Sequence, residues 1–211
     1  MSEMKSNDNF PSREEAEQIV TWAYEQYPQP WAEHCRTVAK AAETIAQKCG
    51  LDAGRAYILG LFHDIGYHEY RNSKGRTCHI YIGYELMMGK GYEDIARICL
   101  SHSFPYKDIR AYGGADMNCN EEELAFINSF LAKTEYDDYD KLIQLCDCIA
   151  GAQVVILEKR ILDVIMRHGF SGPVLIKKYE AWFEIKDYFD KLCGMNIYNL
   201  FYDEIKNSIF G

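Results

Sequence analysis

Apolar side chains recur along this chain at three- and four-residue intervals almost throughout, the signature of helices that bury one face. Ser12 followed by Glu15 forms a capping box ahead of Ala16, Ile19, Val20 and Ala23, and Pro28 and Pro30 lie beyond. A first helix is therefore predicted over 13–26. Val38, Ala41, Ala42 and Ile45 continue the same period, with Cys49-Gly50 as a C-terminal stop, and His34 shares a face with Val38 one turn later. The pattern predicts further helices over 52–63, 78–89, 92–102, 121–133, 138–150, 152–168, 173–193 and 196–208. No segment keeps the alternation of β-branched residues that marks a strand. The expected fold class is all-α, a single-domain helical bundle, with a flexible tail at 1–11 and one domain over 12–211. Two irregular stretches remain, Tyr67 to Thr77 and Phe104 to Asn120, and loops of that kind border active sites.

Composition narrows the function classes. A chain of 211 residues with 48% hydrophobic and 26% charged positions has enough apolar material for one core without cross-links. Its formal charge of -9 argues against a general nucleic-acid binder, which draws its affinity from a basic surface. The longest apolar runs, such as Val154 to Leu157, fall far short of the roughly 18 residues that span a bilayer. The polar start from Met1 to Glu15 lacks the apolar segment of a signal peptide. A cytoplasmic protein with no membrane partner is the expectation. The eight cysteines are scattered and are expected to remain thiols in a reducing compartment. Cys146 and Cys148, the one close pair, fall on different helix faces and read as core.

The chemistry concentrates on His63-Asp64, which ends the apolar run Leu59-Gly60-Leu61-Phe62 and is followed by Gly66. A buried Asp without cation or donors is costly. Other potential ligands stand at helical positions elsewhere: His34 upstream, His79 and His102 downstream, and Asp147 inside Leu145-Cys146-Asp147-Cys148-Ile149. Imidazole is the commonest protein ligand for transition metals, and a carboxylate can bridge two cations. The mixture suits Fe, Mn, Co, Ni or Zn rather than Ca.

His34, His63-Asp64 and Asp147 in that order resemble the HD-domain superfamily of metal-dependent phosphohydrolases. His79 and His102 resemble the extra ligands of its two-metal subset. The resemblance implies one or two divalent transition metal ions held by His34, His63, Asp64, His79, His102 and Asp147, with His63 and Asp64 at the catalytic centre. It implies a phosphohydrolase that uses metal-activated water on a nucleotide or other small phosphate ester. The alternatives of the same fold are a di-iron oxygenase that oxidises a polyol or phosphonate, and a non-catalytic nucleotide-binding module. Many two-metal relatives place a lysine three residues after the Asp, where this chain has Tyr67. Arg71, Lys74, Arg76 and Lys107 are therefore the expected phosphate donors, with Tyr67 and His68 as further substrate contacts. Oligomeric state is not legible.

Overall fold

The protein is described by a computed structural model over residues 10–69, 78–112, 117–169 and 172–210. The described residues form ten α-helices and no strand. They run α1 (Arg13–Gln26), α2 (Trp31–Cys49), α3 (Ala53–Phe62), α4 (His79–Gly89), α5 (Glu93–Ser101), α6 (Glu121–Lys133), α7 (Asp138–Ile149), α8 (Leu157–His168), α9 (Pro173–Cys193) and α10 (Tyr202–Phe210). Short 3-10 turns lie at Ile65–Glu69, Ile109–Ala111 and Ile197–Phe201. Among the described residues no helix is long and apolar enough to cross a membrane.

Local chemistry fixes the clearest boundaries. Ser12 and Glu15 cap α1 reciprocally, and Asn120 with Glu123 and Asp137 with Asp140 do the same for α6 and α7. Gly50 and Gly194 close α2 and α9 in the left-handed region. Two expected helices differ. The one predicted from 152 begins only at Leu157: Val155 N–H returns to Ile149 O, and Val154 N–H is taken by the Glu204 carboxylate. These bonds hold the stretch after Gly151 extended. The one predicted over 196–208 starts as the 3-10 turn and becomes α-helical at Tyr202. Residues 1–9 of the expected tail lie outside the described residues, whereas Phe10 packs on the core and Pro11 is buried.

The alanine-rich face of α2 allows α3 to approach closely, and a Cβ on Gly60 would sit 2.8 Å from the Ala39 Cα. A side chain is excluded even more strictly at Gly66, where a Cβ would lie 1.8 Å from the His79 carbonyl oxygen. That contact seats the turn after α3 on the start of α4. Behind the centre, Arg97 on α5 pairs with Asp137 and Asp140, and Ser101 donates to Asp140 at 2.8 Å. Gln144 donates to Ser101 O and accepts at its own carbonyl from Trp182 Nε1. This chain of bonds ties α5 to α7 and α9.

The cysteines depart from expectation. Cys49 is joined to Cys193 and Cys78 to Cys119, while Cys35, Cys99, Cys146 and Cys148 are free and buried. Separations of 144 and 41 residues leave no local signal of either pairing. Tertiary packing alone brings the C-terminal ends of α2 and α9 together.

Candidate metal centre

Five helices deliver six side chains to one point. His34 lies in the first turn of α2, His63 and His102 directly follow α3 and α5, His79 opens α4, and Asp147 lies within α7. Asp64 follows His63. The positions after helices matter, because terminal carbonyls lack intrahelical partners. His63 Nδ1 donates to Gly60 O at 2.8 Å, and His102 Nδ1 donates to Ile98 O at 3.2 Å. Each bond orients its ring and aims Nε2 at the centre, the nitrogen that carries the lone pair when the imidazole is neutral.

Asp64 sits between two sets of imidazoles. Its Oδ2 is 3.5 Å from His63 Nε2, and its Oδ1 is 3.2 Å from His79 Nε2 and 3.3 Å from His102 Nε2. Asp147 Oδ1 lies 3.0 Å from His34 Nε2 and 3.4 Å from His63 Nε2. His63 Nε2 and Asp64 Oδ1 are buried yet have no hydrogen-bond partner. Such orphans are expensive in a protein interior and are the atoms a cation would engage. Three overlapping triads are compact enough to hold an ion: His34, His63 and Asp64; His63, His102 and Asp147; and Asp64, His79 and His102. The donor set of imidazole nitrogen and carboxylate oxygen fits a divalent transition metal.

Burial pulls the His63 pKa down, and the Asp64 carboxylate with its neighbours more than reverses this, leaving it well above the usual histidine value. Desolvation would raise Asp64 and Asp147, but the imidazoles around them hold both well below the usual carboxylate range. Burial lowers His102, which the Asp64 carboxylate only partly offsets. Two charged carboxylates thus retain a proton on His63, and a metal must displace that proton because only neutral imidazole ligates. His63 is protonated below its raised pKa, so falling pH weakens the metal. We expect the apparent affinity for Mn(II), measured by chelator competition between pH 8 and 6, to fall as the pH falls, toward a limiting slope of about tenfold per pH unit for one displaced proton. An affinity independent of pH would exclude His63 as a ligand.

A cleft of about 450 Å³ opens over these residues. Tyr67 lines it and stacks on His79, with ring centroids 4.2 Å apart and planes 6° from parallel. Burial first, then the Asp64 carboxylate, hold the Tyr67 phenol protonated. Two expected substrate contacts are elsewhere. His68 is buried outside the cleft lining, with Nδ1 on Ile65 O and its ring against Trp22. The 3-10 turn at Ile65–Glu69 rotates it away from Asp64. Lys107 is turned to the C-terminal end of α6, where its Nζ donates to Thr134 O, and it does not line the cleft. Arg71, Lys74 and Arg76 lie outside the described residues. Among the described residues, the cations that line the cleft are Arg160, Arg167 and Lys178. No sequence motif marks them, because their inward placement depends on how α8 and α9 pack.

Residues 31–152 match the family model described as HD domain. No curated relative and no solved structure matches the chain.

Proposed function

The chain belongs to the HD-domain family, and from that premise we propose that it is a metal-dependent phosphohydrolase acting on a nucleotide or other small phosphate ester. The observation that carries this reading is the position of Asp64, whose two oxygens face different imidazoles, Oδ2 toward His63 and Oδ1 toward His79 and His102. In this reading His34, His63, Asp64 and Asp147 would hold one ion, and Asp64, His79 and His102 would hold a second. When bound, the metal supplies charge neutralisation at the phosphoryl group and a water activated near neutral pH.

The chain's own residues do the positioning. The Nδ1 bonds of His63 and His102 to helix-end carbonyls fix ring orientation and tautomer. Tyr67 covers one face of His79 and keeps water from it. Trp31, Tyr112 and Trp182 add aromatic wall to the cleft, a surface suited to the organic part of a small ester.

The test is phosphate release from a panel of nucleotides and sugar phosphates, with protein purified anaerobically and loaded in turn with Fe(II), Mn(II), Co(II), Ni(II) or Zn(II). Turnover under argon that stops on chelation supports the hydrolase. Substrate oxidation with O₂ consumption and no phosphate release would replace it by the oxygenase chemistry of the same fold. Nucleotide binding without turnover under any metal would leave a binding module.

A further inference from the structure

The cleft has a floor of potential metal ligands and a facing wall supplied by α8 and α9 beyond residue 152, outside the matched family region. On α8 the cleft is lined by Arg160, Ile161, Val164 and Arg167. Positions 160, 164 and 167 share one helical face. The helix thus turns guanidinium groups toward the cleft, while Leu162 and Met166 are 62% and 84% exposed. The same helix packs Leu157 and Ile161 into the core and sets Arg160, half-buried, and Arg167, exposed, on the cleft side.

The three cations are also under-used by the protein. Arg160 has no side-chain hydrogen bond or ion pair among the described residues. Arg167 engages its Nε with Asp163 O at 3.2 Å. Lys178 is buried, 6% exposed, and its Nζ donates to Tyr112 O at 2.8 Å and lies 4.8 Å from the Trp182 ring centre. One carbonyl and a ring face leave part of the ammonium's donor capacity unspent. None of the three forms an ion pair with Asp64 or Asp147. In a chain with 32 acidic and 23 basic residues, cations gathered without carboxylate partners in one cleft call for an anion from outside.

We propose that Arg160, Arg167 and Lys178 form an anion-reading wall that selects, among phosphate esters, those carrying a second negatively charged group. This rests on the hydrolase reading for the role of the floor: one phosphoryl group meets the metal ligands, and the second anion, phosphoryl or carboxylate, meets the wall. Burial pushes Lys178 down to about 8, and an anion beside it would stabilise the charged form.

Three probes on one scaffold test this: phenyl phosphate, 4-carboxyphenyl phosphate and 1,4-phenylene bisphosphate. With Mn-loaded protein we expect kcat/KM for at least one doubly anionic probe to exceed that for phenyl phosphate about tenfold or more. A preference for both identifies negative charge as the selected feature, and a preference for the bisphosphate alone identifies phosphoryl. The ratio should fall toward one in Arg160→Ala and in Arg160→Ala/Arg167→Ala, while Arg160→Lys keeps much of it. Lys178→Met is scored only if circular dichroism shows native helix content, since Lys178 also anchors the Tyr112 carbonyl. Calorimetric affinities for the same probes are measured in parallel. If no probe is hydrolysed by any metal-loaded wild type, the nucleotide and sugar phosphate panel decides the hydrolase reading, and the calorimetric ratio decides the wall. Equal affinity and turnover for all probes in the wild type, or a preference that survives Arg160→Ala/Arg167→Ala, would overturn the proposal.

Discussion

Asp64→Ala is expected to lower metal-dependent phosphate release at least about 10³-fold, with His63→Ala close behind. Asp64 faces His63 with Oδ2 and His79 and His102 with Oδ1, so its loss removes ligation on two sides at once. Removing one preorganised electrostatic donor elsewhere costs about 10²–10³ in rate, and a residue shared by two triads stands at or above that range. Both variants should also lose stability. Asp64→Ala removes a carboxylate that the folded state holds well below its usual pKa, so at neutral pH the metal-free fold should melt below wild type. His63→Ala leaves both carboxylates without the buried imidazole that holds their pKa values low, and the metal-free fold should melt lower. Phosphate release, circular dichroism and thermal melts of the chelated proteins read all three quantities. Turnover near wild type in either variant removes the proposed centre.

The second large effect concerns stoichiometry. His79→Ala/His102→Ala should lower bound metal from about two per chain to about one, as read by elemental analysis after anaerobic loading, and should lower turnover steeply. The reason is geometric: both imidazoles face Asp64 Oδ1, whereas His34 and His63 approach Asp147 Oδ1. The carboxylate oxygen nearest to each pair is a different one, so one ion can persist without the other. Unchanged metal content in a folded double variant would make these histidines packing groups around a single ion.

Much of this arrangement is visible in residue order. The Ser12–Glu15 box sets the start of α1, and Gly50 ends α2 in the left-handed conformation that glycine tolerates best. The convergence of His34, His63, Asp64, His79, His102 and Asp147 follows from unlike polar residues placed on otherwise apolar helical faces. Loop position alone does not show which side chains line the cleft: Tyr67 does, whereas His68 and Lys107 do not. His68 lies four residues from Asp64 but is carried away by a 3-10 turn, and Lys107 is captured by a helix-end carbonyl. Arg160 and Arg167 read as ordinary solvated charges on an amphipathic helix. Only the docking of α8 shows which of its faces meets the cleft. The disulfides are likewise invisible, since pairing across 144 residues depends on where two helices end in space.

The six converging side chains all precede residue 152, and the facing wall of the cleft follows it. Reactivity and selectivity are therefore written on separate stretches of the chain. Substitutions confined to α8 and α9 can retune which molecule is accepted without passing through an inactive intermediate, because no helix of that wall carries a ligand. A lineage, or a laboratory library randomised over the four cleft-lining positions of α8, could exchange one substrate for another while the reaction itself is inherited unchanged.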